Sequence, residues 1–377
     1  MSEPADNVRK RWPQVARALA FFAPNMAIFA VFTLVPVIFT LVLAFFEWDP
    51  FTTARFVGFD NFNVILADRQ FWYYLLNTLV FMLGLPLSMA GSLFLAVMLS
   101  QKLRAVIAYR TAYYLPSITN GVALFLLWKV MYNKEAGLVN ALLLPVVNLG
   151  RWLVGAQTIG MDAMPDWLQD AWSFPSIMVG LVLTIVICLV LSPLWLRLRH
   201  LPRPAWLGLG AAMALVVAVI GFALAFQANR MTGGEFYTAK PALVFMNVWT
   251  FIGGANMILY LAALAGVPTE LYEAAEIDGA GRWRQFKDIT WPMIAPTTFF
   301  IFVMGMIGGL QGGFEMAFMM TEGGPDGSTT TVGYHIFSQA FFEYRFGYAA
   351  AISFILFLLV MAVTMVNWRF GSKAKGY

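Results

Sequence analysis

Charged residues are scarce in this sequence of 377 residues, and cysteine is almost missing from it. Asp, Glu, Lys and Arg together make up 12% of the chain, whereas soluble domains carry roughly 25%. This low share excludes an ordinary soluble domain. The single cysteine, Cys188, lies inside an apolar run. It therefore excludes an intrachain disulfide and a metal site built from several cysteines.

Groups suited to catalysis are also few. The sequence has 2 histidines, His200 in a basic turn and His335 in a predicted outer loop. It contains no HExxH pair and no nucleophile elbow. We therefore predict no catalytic residues and no metal site. A net charge of +4 would suit a nucleic-acid-binding protein, but membrane proteins acquire such a bias from basic cytoplasmic loops. We expect no nucleic-acid partner.

Long apolar runs are what the sequence has in abundance, with a mean hydropathy of +0.72. A bilayer core about 30 Å thick needs about 20 apolar residues of helix. Eight stretches free of Asp, Glu, Lys and Arg meet or nearly meet this length. They cover residues 18–46, 71–101, 111–128, 171–196, 204–229, 241–269, 289–314 and 346–368. The sequence thus predicts an all-α membrane protein with about eight transmembrane helices.

Lysine and arginine are concentrated in alternate connecting segments. Sixteen of the 24 lie in segments that are cytoplasmic if the N-terminus is inside. Because cytoplasmic loops retain basic residues, we predict that both termini are cytoplasmic. The alternation places outer loops at residues 47–70, 129–170, 230–240 and 315–345.

Two predicted spans, 171–196 and 204–229, form a tight hairpin. Its removal would invert no span downstream, so residues 171–229 are a candidate insertion in a six-span core. The alternative is that all eight spans are ancestral. No repeat or flexible linker divides the sequence elsewhere, and we predict a single transmembrane domain over residues 1–377.

The third predicted inner loop, residues 268–292, is charged and helix-like. Thr269 can cap a first helix and Gly279 can end it, while Pro292 fits the first turn of a span that begins near Ile289. Four residues recur at three- and four-residue spacing on the first helix: Leu271, Ala274, Ala275 and Asp278. By pattern alone, the segment is either a docking helix or an interfacial amphipathic helix that caps the bundle.

The spacing of this loop resembles the EAA loop of permeases in binding-protein-dependent ABC importers. The residues that carry the resemblance are Glu273, Ala274, Ala275, Asp278, Gly279, Ala280, Phe286, Ile289, Pro292 and Pro296. One departure is Trp291, where Leu is usual. The resemblance implies that residues 268–292 form a cytoplasmic coupling loop whose helix sits in a groove of an ATPase subunit. The implied coupling residues are Glu273, Ala274, Ala275, Asp278 and Gly279.

A second stretch, residues 314–331, is rich in Gly and Thr but is no phosphate loop, because no Lys followed by Ser or Thr comes after its second Gly. By pattern alone it is a turn broken by Gly323, Gly324 and Pro325. It resembles the corresponding region of maltose-permease-like sugar importers. Residues 57–62, Asn77-Thr78 and Leu115-Pro116 resemble other parts of the same importers. The resemblance fails from about Leu149 to Lys240.

Polar and aromatic residues on the last two spans before this turn are the candidates for the substrate path. They are Asn247, Trp249, Asn256, Tyr260, Gln311 and Glu315. Sugar sites use aromatic faces together with amide or carboxyl partners for hydroxyls. A polar side chain in a span can instead bond to a neighbouring helix.

Glycines are concentrated on the seventh predicted span. They are Gly305, Gly308, Gly309, Gly312 and Gly313. Such small residues let helices pack closely, or they leave room for a solute or for a partner permease; both alternatives stay open. Maltose-specific relatives tend to place asparagines here, so the resemblance does not extend to maltose itself.

The resemblance implies the permease subunit of an ATP-driven importer for a sugar or oligosaccharide, in the bacterial inner (plasma) membrane. Its implied partners are a second permease subunit, an ATP-binding cassette ATPase dimer, an extracytoplasmic solute-binding protein and membrane lipid. ATP and Mg would bind to the ATPase subunits, and we expect this chain to bind no cofactor and to be no enzyme. The alternative is a secondary transporter for a polar solute. That class often has inverted repeats and ionisable residues at mid-membrane, and the sequence shows neither.

Overall fold

The computed structural model describes residues 17, 19–51, 53–101, 104–119, 121–153, 157–172 and 236–371. The predicted spans 171–196 and 204–229, together with Cys188 and His200, therefore lie almost entirely outside the described residues. The described part of the chain is mostly helical, as predicted. Two short antiparallel ribbons pair Phe46–Glu47 with Arg55–Phe56 and Ala171–Trp172 with Phe236–Tyr237.

The helices follow one another along the chain with short connections. Before the undescribed segment they are Leu19–Leu43, Asp60–Ala67, Arg69–Met82, Gly84–Leu99, Val106–Ile118, Gly121–Met131, Leu138–Leu153 and the 3₁₀ turn Met161–Ala163. After it they are Ala239–Phe251, Gly254–Ala265, Thr269–Ile277, Arg282–Gln285, the π turn Phe286–Thr290, Trp291–Gln311, Phe314–Met320, Val332–Phe341 and Phe346–Gly371.

Among the described residues, 4 helices are long and apolar enough to cross a membrane. They are Leu19–Leu43, Arg69–Leu99, Arg282–Gln311 and Phe346–Arg369. A bent pair of helices, Ala239–Phe251 and Gly254–Ala265, makes up to 5 if it is one span. The described residues thus show a multi-pass membrane protein, with fewer clear spans than the eight predicted.

The predicted span 111–128 differs from the structure, which has two shorter helices there, Val106–Ile118 and Gly121–Met131. Pro116 lies inside the first helix and cannot donate a backbone hydrogen bond to the preceding turn. Thr119 then adopts an extended conformation with ψ of 131° and ends the helix. An apolar run without charges does not reveal such a break, because hydropathy ignores backbone conformation.

The described residues fall into two compact units. The first comprises the chain up to Trp72 together with His335–Met361. In it, the Asn61 amide donates to the carbonyls of Ala44 at 2.9 Å and Phe46 at 3.0 Å. These bonds fasten the helix Asp60–Ala67 to the chain segment that leaves the first span.

The second unit comprises Tyr73–Tyr334 and the residues from Ala362 onward. Beside a small hydrophobic cluster of Val147 and Met164, its described core contains two large ones. One contains Phe81, Trp128, Tyr132, Leu168, Ala242, Leu243, Met246, Met316 and Met320. The other contains Met89, Leu93, Ala96, Leu99, Met257, Tyr260, Val267, Ile294 and Ile301. The two halves of the bent helix pair contribute to different clusters, so each half is anchored separately.

Candidate functional site

The bent helix pair is interrupted at Ile252 and Gly253, where the two halves meet at an angle of 42°. Gly253 has φ of 99° and ψ of −132°, a conformation open essentially to glycine alone. A Cβ atom there would lie 2.8 Å from the carbonyl oxygen of Tyr113. Both the backbone conformation and the close approach therefore require glycine.

Ser92 supplies the hydrogen bonds that the interrupted helix lacks. Its hydroxyl donates to the carbonyl of Phe251 at 3.0 Å and accepts the N–H of Gly253 at 3.2 Å. Ser92 lies on the helix Gly84–Leu99 and is completely buried. Unpaired backbone groups are costly in a membrane, and one side chain here satisfies a group on each side of the break.

A cavity of about 740 Å³ opens beside the break. Its volume is within the roughly 300–1,000 Å³ range of small-molecule sites. Phe81, Phe125, Phe251 and Phe314 contribute aromatic rings to its wall. Hydroxyls and amides from several helices lie between these rings: Thr78, Ser88, Ser117, Asn247, Thr250, Asn256, Gln311 and Thr331. The wall can therefore contact both the apolar faces and the hydroxyls of a polar solute.

Four of the six substrate-path candidates line this cavity. They are Asn247, Asn256, Gln311 and Glu315. The Asn247 amide contacts the Met316 sulfur at 3.2 Å, which fixes its direction. Trp249 is 63% exposed and Tyr260 is 1% exposed within a hydrophobic cluster. Neither of these two aromatic residues lines the cavity.

The glycines of the seventh predicted span also line the cavity. A Cβ atom on Gly309 would approach the Cγ atom of Met82 to 2.8 Å, and one on Gly305 would collide with Leu85. A Cβ atom on Gly308 would meet nothing within 4 Å. The same helix therefore uses glycine both for close packing and to leave open space.

The loop after the bent pair begins with the helix Thr269–Ile277. Its end is closed by two hydrogen bonds, from the N–H of Ala280 to Ala275 at 2.8 Å and from the N–H of Gly279 to Glu276 at 3.0 Å. Gly279 has φ of 73°, so the helix ends in a Schellman motif. The prediction that Gly279 ends this helix is confirmed.

The predicted cap at the other end of this helix is wrong. Pro268 occupies the cap position and no side chain caps the helix, because Thr269 is already its first helical residue. On the helix surface, Glu273, Ala274 and Asp278 are exposed, and Ala275 is half-buried. These short and acidic side chains form an accessible face.

The second helix of the loop and the following span are one continuous helix, Arg282–Gln311. Pro292 lies in the first turn of the segment Trp291–Gln311, as predicted, but the sequence did not predict that this segment continues the helix that begins at Arg282. The π turn Phe286–Thr290 directly precedes Pro292. A widened turn accommodates the proline ring and its missing N–H, so the helix passes through without ending.

Tyr272 connects the loop helix to this long helix. Its hydroxyl is 2.8 Å from the hydroxyl of Thr290, and its ring packs with Phe286 and Ile289 against a buried cluster. The other end of the long helix carries Gln311, which lines the cavity. A continuous helix of 30 residues, or about 45 Å at 1.5 Å per residue, therefore links the loop to the cavity.

The Gly- and Thr-rich outer segment is held by buried side chains. The Asn77 amide donates to the carbonyls of Gly327 and Thr330, each at 3.0 Å, and the Thr78 hydroxyl accepts the N–H of Val332 at 3.0 Å. The hydroxyl of Tyr237 donates to Asp326, and this hydrogen bond raises the pKa of Tyr237. The segment is thus an ordered turn fixed to its surroundings.

Two functional residues of the break were not singled out from the sequence. Nothing in the sequence distinguishes Ser92 from other serines, because a serine in an apolar span is common. The Gly253-Gly254 pair was a signal, since paired glycines mark turns. Within the described residues, no group of three or more His, Cys, Asp or Glu side chains could hold a metal ion.

Residues 168–370 match the family described as "Binding-protein-dependent transport system inner membrane component". The chain belongs to this family. The matched range covers more than half of the sequence and includes residues 171–229. The resemblance was expected to fail up to Lys240, and the family match extends it across that stretch from residue 168 onward.

Relatives of this inner membrane component cover nearly its whole length. It is 29% identical over 353 residues to the lactose transport system permease protein LacF of Rhizobium radiobacter, covering 92% of this chain and 91% of LacF. It is 28% identical over 359 residues to the diacetylchitobiose uptake system permease protein NgcF of Streptomyces coelicolor, covering 92% of this chain and 79% of NgcF.

A solved structure shows a similar fold. The bacterial ABC transporter involved in the import of the acidic polysaccharide alginate contains a chain that matches with a TM-score of 0.63. The match covers 98% of each chain at 20% sequence identity. At this identity the likeness concerns the fold, and it supports a permease architecture for the inner membrane component.

Proposed function

We propose that this inner membrane component is the permease subunit of an ATP-driven importer for a sugar or oligosaccharide. The observation that carries the proposal is the cavity at the broken helix, where Asn247, Asn256 and Gln311 face the same space as four phenylalanine rings. Amides bond to hydroxyls, and aromatic faces pack on the apolar side of a sugar ring. The names of LacF and NgcF each give a disaccharide as the solute, and this supports a sugar as the solute class.

The importer would be assembled from several chains. This subunit pairs with a second permease to enclose the path, and an extracytoplasmic binding protein delivers the solute. Two ATP-binding cassette subunits bind ATP and Mg and hydrolyse the ATP, so this chain needs no cofactor and performs no catalysis. The family description, which names a binding protein and an inner membrane component, supports this division of labour.

Coupling between the ATPase and the cavity would pass through the loop 268–292. The accessible residues Glu273, Ala274 and Asp278 contact the ATPase, with Ala275 and Gly279 shaping the helix and its end. Movement of the loop helix is transmitted by the Tyr272–Thr290 contact at 2.8 Å to the helix Arg282–Gln311. Because this helix reaches the cavity, closure of the ATPase dimer changes the shape of the solute site.

The membrane topology completes the proposal. Both termini are cytoplasmic, six spans form the permease core, and residues 171–229 are an inserted hairpin on the periphery of a single membrane domain. The concentration of lysine and arginine in alternate segments supports this orientation. Reporter fusions at Gln339, in an outer loop, and at Ala280, in the coupling loop, should lie on opposite sides of the membrane. Deletion of residues 171–229 should leave assembly with the partners intact, and complete loss of assembly would place the hairpin in the core.

Transport itself is tested with the complete importer in liposomes. ATP inside the liposomes should drive uptake of a disaccharide such as lactose or diacetylchitobiose in the presence of the binding protein. An ion gradient without ATP should drive none. Uptake driven by the gradient alone would instead indicate a secondary transporter.

The coupling role is tested by Glu273→Lys and Gly279→Pro. The first reverses a charge on the accessible face, and the second blocks the positive φ that ends the helix. Both should reduce copurification with the ATPase and abolish stimulation of ATP hydrolysis by loaded binding protein. Asp162→Lys makes the same change of charge in an outer loop and is the matched control. Unchanged copurification and stimulation in both loop variants would contradict the assignment.

A further inference from the structure

The wall that this chain contributes to the cavity carries a single type of charge. Among the described residues that line it, the one ionisable side chain is the carboxylate of Glu315. The remaining polar groups are neutral amides and hydroxyls, including those of Asn247, Asn256 and Gln311. Lysine, arginine and histidine are absent from this described wall. The part of the cavity wall that the structure describes therefore has a negative group and no positive group.

Glu315 is placed at the cavity by two helices. It lies in the first turn of the helix Phe314–Met320, and its carboxylate rests against Gly121, where a Cβ atom would lie 2.8 Å from Oε2. Gly121 begins the helix Gly121–Met131, and the missing side chain at this position gives the carboxylate its space. Glu315 is exposed and makes no ion pair with any described residue. Its charge is thus available to a solute.

The lysine on the helix Gly121–Met131, Lys129, does not line this cavity. Lys129 donates to the carbonyl of Met319 at 3.2 Å. It lines a second pocket, together with Asp166 and Glu322, and is not among the residues of the first cavity. Within the described residues, the carboxylate of Glu315 is therefore not neutralised by this lysine.

We propose that Glu315 determines the charge of the solute, so that the cavity accepts neutral sugars or amino sugars and rejects anionic ones. This inference rests on the proposed function. A carboxylate on the wall repels a uronate or phosphate group that enters the cavity. It accepts hydrogen bonds from hydroxyls, and stronger ones from an ammonium group. The solute class is thereby distinguished from the acidic polysaccharide named for the structurally similar transporter.

The charge of the cavity can be measured without knowing the solute. In the complete importer, Cys188→Ala removes the chain's single cysteine, and Gly308→Cys introduces one on the cavity wall, where nothing lies within 4 Å of a new Cβ atom. The probes are two methanethiosulfonate reagents of similar size, one with a trimethylammonium group and one with a sulfonate. The measurement is the ratio of their rates of reaction with the introduced cysteine.

The cationic reagent should react faster when Glu315 is present. Glu315→Gln should lower the ratio of cationic to anionic rates about tenfold, and Glu315→Lys should reverse the preference. Glu322→Gln, in the second pocket, removes a carboxylate outside the cavity and is the matched control, so it should leave the ratio unchanged. An equal ratio in wild type and Glu315→Gln would overturn the proposal, as would an equal effect of Glu322→Gln.

Uptake assays separate this inference from the proposed function. If lactose uptake is driven by ATP but the ratio of cationic to anionic reaction rates is the same in wild type and Glu315→Gln, only the charge selection is refuted. The opposite result is that Glu315→Gln lowers the rate ratio, but ATP drives no uptake of any sugar in a panel of neutral, amino and acidic sugars. That result would refute only the importer function. ATP-driven uptake of a uronic-acid disaccharide at the rate of lactose would also overturn the selection against anions.

Discussion

The hydroxyl of Ser92 accepts the backbone N–H of Gly253 at a distance of 3.2 Å. Ser92 lies on the helix Gly84–Leu99 and Gly253 lies between the two halves of the bent pair. The bond joins a buried side chain to the point where this pair is interrupted. Because the same hydroxyl also donates to Phe251, Ser92 holds both ends of the interruption. The break is therefore a fixed feature of the fold.

Ser92→Ala should destabilise the protein while leaving the helix Gly84–Leu99 intact. The change leaves the buried N–H of Gly253 without its partner and removes a hydrogen bond from the part-buried carbonyl of Phe251. A buried unsatisfied group costs about 1–3 kcal/mol. The measurement is the Tm of the purified complex in detergent. Ser100→Ala removes an exposed serine that bonds within its own helix, to Val97 at 2.8 Å, and is the matched control. Equal shifts in Tm for the two variants would contradict the role of Ser92.

Gly253→Ala should be more damaging than an ordinary glycine substitution. Alanine in this backbone conformation costs about 1–3 kcal/mol, and its Cβ atom would press against the Tyr113 carbonyl. Loss of Tm and of ATP-driven uptake is expected. Gly308→Ala tests the alternative that any glycine substitution at the cavity is harmful. Since a Cβ atom on Gly308 meets nothing within 4 Å, that variant should keep its Tm.

The loop after the bent pair could be predicted because its signals are local. Gly279 ends a helix through its own backbone conformation, and the sequence places it directly after an apolar and acidic periodic segment. The continuity of the long helix through Pro292 could not be predicted in the same way. Pro292 usually marks a first turn, but the π turn at Phe286–Thr290 lets the helix continue past it. Such a widened turn has no clear sequence signal.

Four residues of the cavity wall were singled out from the sequence for a different reason. Polar residues in spans are costly and tend to face the interior, which selected Asn247, Asn256, Gln311 and Glu315. Aromatic residues carry no such cost, so the sequence does not indicate which way their side chains face. Trp249 and Tyr260 do not line the cavity. The break at Gly253 also rotates the second half of the span. Helical periodicity counted along the first half therefore does not show which side chains of the second half face the cavity.

Substitutions at Gly279 separate backbone conformation from side-chain contact in the loop. Gly279 has φ of 73°, and nothing lies within 4 Å of a Cβ atom built on it. Alanine should therefore destabilise the helix end by about 1–2 kcal/mol through conformation alone. Asparagine, which tolerates this conformation better, should retain more of the ATPase stimulation. If Gly279→Asn and Gly279→Ala lost stimulation equally, contact with the ATPase at this site, and not helix ending, would be the reason for glycine.

His335 introduces a dependence on the pH of the outer compartment. It lies in the helix Val332–Phe341, in a predicted outer loop, and is 6% exposed. Burial lowers the pKa of His335, while Asp68 opposes this effect and Arg345 adds to it. The ring of Tyr348 meets the imidazole edge to face, with centroids 6.5 Å apart. The folded protein therefore favours the neutral imidazole.

Acidification should consequently lower the stability of the protein. The unfolded chain takes up a proton at His335 as the pH falls below about 6.5, whereas the folded chain, with its lowered pKa, resists protonation. The free energy of unfolding then decreases with falling pH. The Tm of the complex should fall between pH 7.5 and pH 5.5, and less so in His335→Gln. A pH dependence of Tm that is the same with and without the His335 imidazole would contradict this origin.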